Sequence, residues 1–192
     1  MTLHAALSRN FDHSLLRNII IVAAASLLIT LSAKVSIPFY PVPMTMQTFV
    51  VIGLGLALGP RLGLAAVAFY LAQGALGLPV FTGTPEKGIG WAYMMGPTGG
   101  YLLGFLIAVY VSGMLAERGW DRNIFTAFAV AVIGTAILML PGVLWLGVLF
   151  GWDKPILEWG LYPFILGGFA KAALAAAVFP AAWRFLKARG LG

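Results

Sequence analysis

Residues 45–76 read TMQTFVVIGLGLALGPRLGLAAVAFYLAQGAL. Two apolar blocks, Thr45–Leu58 and Leu62–Leu76, flank Gly59-Pro60 and a single charge, Arg61. Proline lacks the amide hydrogen that a helix interior uses, and it disfavours helical geometry in the residue before it. Gly59-Pro60 therefore closes the first block. A bilayer crossing takes roughly 20 residues. Both blocks fall short, so each is expected to borrow turns from its flanks or to tilt little. The stretch reads as two short membrane spans joined by a tight turn.

The pattern continues in both directions. Further apolar runs cover Leu15–Ala33, Thr98–Leu115, Ile124–Leu149 and Gly160–Leu186. The run Ile124–Leu149 is long enough to tilt or to break at Pro141-Gly142. Only 9% of the residues are charged, against roughly 25% in a soluble domain. That leaves too few charges to cover a water-facing surface, and those present avoid the apolar runs. The expected fold is an all-α membrane protein with six transmembrane helices, forming a single integral membrane domain over residues 1–192.

The net charge of +6 does not indicate nucleic acid, because the basic residues are scattered between apolar blocks and form no stripe. They orient the helices instead. Eight lie on one side: Arg9, Arg17, Arg61, Arg118, Arg122, Arg184, Lys187 and Arg189. Lys34, Lys87 and Lys154 lie on the other. The richer side is expected to be cytoplasmic, with both termini there, which requires an even number of spans. No cysteine is present, which excludes disulfides, thiolate chemistry and cysteine metal sites. No signal peptide is expected.

Two loops fall on the outer side. Lys34–Met44 (KVSIPFYPVPM) carries Pro38, Pro41 and Pro43, which hold the chain extended. Gly77–Pro97 is long, glycine-rich and aromatic. Loops beyond about 12–15 residues are usually functional or disordered. This one is too apolar for disorder and is expected to fold over the helix ends as a lid.

Lys171, in GGFAKAALAAA (residues 167–177), is the most informative side chain. A charge near mid-membrane costs a few kcal/mol, so it normally faces a cavity or a partner. Arg184 is about 13 residues away, close to 20 Å along a helix, too far for snorkelling to the cytoplasmic side. Two readings stay open: a cavity-facing lysine that binds a ligand, and a structural lysine snorkelling outward. Asp12, Glu86, Glu117, Asp121, Asp153 and Glu158 all sit in tails or loops. Lys171 thus has no counter-ion within a span, and a ligand carboxylate is a natural partner. A membrane-buried proton relay is also missing.

Thr45 and Gln47 open the second span. An amide offers donors and an acceptor and suits a urea-like ligand; the alternative is a polar helix start or an interhelical hydrogen bond. Gln73 presents the same choice. Tyr40, Phe81, Trp91, Tyr93 and Tyr101 lie near the outer boundary, where an interfacial belt accounts for most of them and packing on a ligand for at least one. Trp145, Trp152 and Trp159 read as interface anchors. Ala23, Ser26 and Thr30 on the first span suit close helix docking, either to a membrane partner or internally. His4 and His13 sit in the N-terminal tail. Walker A, HExxH and GxSxG sequences are all missing, so no enzyme activity and no cofactor are expected.

The segments AKVSIPFYPVPMTMQTF, LGPRLGLAAVAFYLAQGALGLPVF, GPTGGYLLGF and PFILGGFAKAALAA occur in this order between Ala33 and Ala177. Together they resemble BioY, the biotin-uptake family. The resemblance implies the S-component fold of energy-coupling factor (ECF) transporters, with six helices and cytoplasmic termini. It implies high-affinity biotin capture near the outer face, beneath loops Lys34–Met44 and Gly77–Pro97. The implied ligand set is Lys171, Gln47, Thr45, Tyr40, Phe81, Thr82, Gly83, Trp91, Tyr93, Tyr101 and Gly168. The family's last motif often reads PGDxxK; here Gly168 stands at the acidic position, so Gln47, a loop carbonyl or water takes that role. Either end of biotin can meet Lys171. The implied partners are a BioN-like T-component, contacted by Ala23, Ser26 and Thr30, a BioM-like ATPase pair and membrane lipids, in a bacterial plasma membrane. Two other functions remain to be separated: an S-component for another vitamin, and an oligomeric secondary transporter working without an ATPase.

Overall fold

The computed structural model describes residues 2–7, 15–84 and 86–189. Arg9, Asp12 and His13 lie outside the described residues. The elements are α1 (Leu3–Leu7), α2 (Leu15–Lys34), β1 (Ser36–Ile37), β2 (Met44–Thr45), α3 (Gln47–Ala75), α4 (Gly90–Met94), α5 (Gly99–Glu117), α6 (Ile124–Phe150), α7 (Ile156–Gly160) and α8 (Tyr162–Ala188). Five stretches are long and apolar enough to cross a membrane: α2, α3, α5, α6, and α7 with α8. The chain is a multi-pass membrane protein.

The second and third expected spans meet inside α3. Gly59 inside it adopts φ 82° and ψ 179°, outside helical geometry. A positive φ of this kind suits glycine, which carries no Cβ. The chain doubles back there. A Cβ on Gly63 would lie 3.4 Å from the Gly55 Cα, and Gln47 Nε2 reaches the Tyr70 hydroxyl at 2.7 Å. On a straight helix those two residues would stand about 35 Å apart. The second and third expected spans are therefore the two antiparallel arms of α3, joined by the tight turn at Gly59-Pro60. Of the two alternatives for the fifth span, tilt or a break at Pro141-Gly142, the break does not occur; α6 runs through Pro141 as one helix.

Helices approach each other through small residues, because lipid supplies no hydrophobic drive between spans and close backbone contact must hold them. Gly113 of α5 lies so near the turn of α3 that a Cβ there would come within 2.6 Å of Gly59 and Pro60 backbone atoms. On the other side of α5, a Cβ on Gly104 would meet the Leu138 backbone of α6. The helix α5 thus sits between α3 and α6, and α8 packs on α6. The helix α2 rests on α3 and is the barest span: 22% of its apolar window is buried, against 56% for α3 and α5.

The two ends of the bundle differ. At one end α1 packs near the α3 turn, where Thr2 and Glu117 approach Gly59. There Trp183 donates from Nε1 to the Asp121 carboxylate, and the Arg122 guanidinium lies 4.5 Å above the Trp183 ring. Burial raises the Asp121 carboxyl above its usual range, opposed by the Trp183 hydrogen bond. The opposite end carries the two long loops. In the first, β1 and β2 pair antiparallel, Ser36 with Thr45 and Ile37 with Met44. The second holds the short helix α4.

Candidate functional site

The polar centre of the molecule lies beneath these loops. Gln47 is the first residue of α3, and its backbone amide donates to Thr45 Oγ1 at 3.2 Å. That local bond fixes the helix start and turns the side chain inward, where it is 5% exposed. Its Nε2 donates to the Tyr70 hydroxyl, and its Oε1 accepts from Thr45 Oγ1 at 3.3 Å. Thr82 Oγ1 of the second loop lies 3.4 Å from the same oxygen and 3.0 Å from the Ala33 carbonyl. A hydroxyl has one proton to give, so the shorter bond to Ala33 takes it. Lys171 Nζ arrives from α8 and donates to the Thr45 carbonyl at 2.6 Å.

Four elements therefore meet at one amide: the first loop, both arms of α3 and the second loop, with α8 one bond away. A buried polar group without a partner costs about 1–3 kcal/mol. Here the groups satisfy one another, so a ligand has to exchange partners with them.

Aromatic rings form the wall. Phe81, 1% exposed, stacks on Tyr93 with centroids 4.7 Å apart and meets Tyr70 edge-on at 5.5 Å. Its ring lies against Gly74, where a Cβ would find three ring atoms no farther than 2.7 Å. Burial pushes the Tyr93 phenol above its ordinary pKa, against lowering by hydrogen bonds with Thr98 and Thr82, so the phenol stays neutral. Tyr101 donates from its hydroxyl to the Gly160 carbonyl at 2.7 Å. Trp145, read as an interface anchor, bonds the Gly96 carbonyl at 2.8 Å instead and pins the start of α5.

Of the expected ligand residues, Thr45, Gln47, Phe81, Thr82, Tyr93 and Tyr101 line one cavity. Lys171 borders a small recess beside Thr48 and Thr135 and reaches the cavity's rim through Thr45. Gly168 borders a separate apolar groove of about 460 Å³ between α6 and α8. A Cβ on Gly168 would meet Thr135 alone, at 3.4 Å. Met139 and Phe164 line both the groove and the cavity. Tyr40 and Trp91 do not join: they are 82% and 67% exposed, because they project from the outer surface of their loops. Gly83 turns away at φ 72°, with the Lys87 side chain folded over it. Gln73 faces α2, where it accepts a hydrogen bond from Ser26. Ser26 is consequently fully buried and cannot share an outward docking face with Ala23.

Tyr70, Thr98, Phe105, Leu138 and Phe164 also line the cavity and were not anticipated from the sequence. Tyr70 had a detectable signal. It is the polar side chain that follows Gln47 once α3 is folded at Gly59, and arms of similar length bring the two level. The apolar walls had none, since their residue types recur in every span.

The family model described as "BioY family" matches residues 4–188. The chain is 37% identical over 159 residues to a probable biotin transporter BioY of Pyrococcus horikoshii, covering 83% of this chain and 91% of that protein. It is 37% identical over 163 residues to a biotin transporter BioY of Thermotoga maritima, covering 85% and 94%. Among solved structures it is similar to a crystal structure at 2.1 Å of the S-component for biotin from an ECF-type ABC transporter. That similarity has a TM-score of 0.73 and 26% identity, over 88% of this chain and 92% of the other.

Proposed function

The chain belongs to the BioY family, and from that premise we propose that it is the biotin-binding subunit of an ECF-type uptake transporter. The observation that carries the reading is the Gln47 amide, held between two hydroxyl-bearing loops, with a lysine from a membrane span bonded to the carbonyl of the adjoining Thr45. Biotin is a urea fused to an apolar ring, with an aliphatic tail ending in a carboxylate. A side-chain amide complements a urea, since each presents donors and an acceptor. The Phe81, Tyr93 and Tyr101 rings supply an apolar enclosure, and small-molecule sites combine such walls with a few placed polar groups. Lys171 supplies the cation that a carboxylate or a polarised ureido oxygen needs.

The basic end of the bundle, with Arg61, Arg118, Arg122 and Arg184, faces the cytoplasm of a plasma membrane under this proposal. The cavity then opens outward and captures biotin from outside. Net uptake is assigned to partners, a transmembrane T-component and an ATPase pair. The bare face of α2, with Ala23 and its exposed neighbours, is their docking surface. Thr30 is half-buried and donates to the Ser26 carbonyl, so it borders that face.

Titration calorimetry on the purified protein in detergent tests the proposal. Saturable binding of biotin at micromolar concentration or below is the expected result. A flat titration at that concentration sinks it. Competition against labelled biotin by other vitamins identifies a different substrate if one displaces biotin more strongly than biotin itself does.

A further inference from the structure

The C-terminus of α2 is built to hold the second loop. Lys34 is the last residue of α2. Its ammonium donates to the Pro79 carbonyl at 3.0 Å, the Phe81 carbonyl at 2.9 Å and Thr84 Oγ1 at 3.5 Å. One residue earlier, the Ala33 carbonyl accepts from Thr82 Oγ1 at 3.0 Å. The last carbonyls of a helix have no partner within it, so α2 offers an acceptor and a cation side by side. The loop offers the complement: a hydroxyl donor at Thr82, flanked by two carbonyls that point at Lys34. Thr84 Oγ1 in turn donates to the Phe81 carbonyl at 2.7 Å and closes the loop on itself. All three acceptors around Lys34 are neutral. The ammonium is therefore used as a multivalent donor and not as half of an ion pair, which three tetrahedral N–H bonds permit.

What is held here is Phe81, whose ring forms one wall of the cavity. The helix doing the holding is the most weakly embedded span. Its internal polar tie is the Ser26 bond to Gln73 on the second arm of α3. A small shift of α2 along α3 withdraws Lys34 from three acceptors at once.

We infer that Lys34 is the positioning residue of the lid, a catch through which α2 holds residues 79–84 closed over the cavity and releases them when α2 moves. The inference rests on the biotin reading for its kinetic part. Its structural part stands without it. Lys34 contacts the lid backbone and lines no part of the cavity, so it sets how long a ligand stays and not which ligand enters.

The test uses the full-length protein in lipid nanodiscs, as wild type, Lys34→Met and Lys34→Arg. Amide hydrogen exchange of residues 79–84 is read without ligand, and the dissociation rate of biotin is read with it. In Lys34→Met, exchange in the lid and the dissociation rate should each rise about tenfold or more, as expected for losing hydrogen bonds to a charged group. Exchange in α5 and α6 should stay as in wild type. Lys34→Arg, which keeps charge and donors, should restore both quantities to within about threefold of wild type. Lid exchange and dissociation that stay at wild-type values in Lys34→Met overturn the inference, as does a uniform rise in exchange over all helices. Thr82→Val, which removes the bond to Ala33 together with the hydroxyl's contacts to Gln47 and Tyr93, gives a second reading of lid exchange if Lys34→Met does not fold. Faster lid exchange supports the catch even where biotin fails to bind, so failure of the substrate assignment is read separately.

Discussion

Replacing Lys171 by methionine is expected to weaken biotin binding by roughly 100-fold, about 2.7 kcal/mol, while the protein stays folded. Lys171 enters the site from the middle of a span, and its one hydrogen bond goes to the Thr45 carbonyl. That carbonyl belongs to the short strand whose side chain bonds Gln47. Loss of the ammonium therefore acts twice: it removes the cation available to the ligand, and it frees the segment that fixes the amide. Truncating one side of a buried charged contact typically costs 2–5 kcal/mol. Methionine matches the length of the lysine stem and is apolar, so it relieves the cost of keeping a charge within the bilayer. Titration calorimetry gives the affinity and thermal unfolding in detergent gives the stability. An unchanged affinity would assign Lys171 to structure alone and remove the cation from the proposed site.

Gly74→Val should have the second largest effect, through the lid. The space that its side chain would need is filled by the Phe81 ring. The valine would sit in the last turn of α3, where the Gly77 amide bonds its carbonyl and fixes the backbone, so the ring must leave its seat between Tyr70 and Tyr93. Overpacking of this kind commonly costs about 1–3 kcal/mol, and the displaced aromatic wall adds the loss of two ring contacts. The expected outcome is binding weakened at least tenfold, with a lid that is cut faster by protease after Lys87. A variant with wild-type affinity and an uncut lid would mean that Phe81 has another resting place and that its packing on Gly74 is incidental.

Much of this arrangement can be read in the sequence. The tight turn at Gly59-Pro60 follows from two residue types alone, and the uneven spread of lysines and arginines is the ground for the proposed orientation. The two loops that cover the site stand out by length, proline and aromatic content. Gln47 and Lys171 are visible because a polar group within an apolar run needs a reason. What the sequence could not supply is direction. Tyr40 and Trp91 are as aromatic as Phe81 and Tyr93 and sit in the same loops, yet they point outward, because only the folded loop decides which face of it is inside. Ser26 and Ala23 lie on one helix with similar small side chains, but their angular separation sends one toward Gln73 and the other to the exposed face of α2. Lys34 read as a topology marker, since its two closest acceptors are backbone carbonyls 45 and 47 residues away, and a carbonyl has no letter in the sequence.

The position of Lys171, in the middle of its span, has an electrical consequence. With Lys171 charged and no carboxylate beside it, the empty subunit carries one positive charge within the membrane field. A ligand with a single carboxylate cancels it. Turning the loaded form inward is then electroneutral and does no work against the membrane potential. Returning the empty form outward moves positive charge against an inside-negative potential, at a cost approaching 2.3 kcal/mol per 100 mV for a full crossing. Under the proposed function, energy from a partner would then be demanded chiefly in the recovery stroke. Uptake by the assembled transporter in vesicles should slow as the inside is made more negative, and a rate indifferent to voltage would show that Lys171 stays near one depth throughout the cycle.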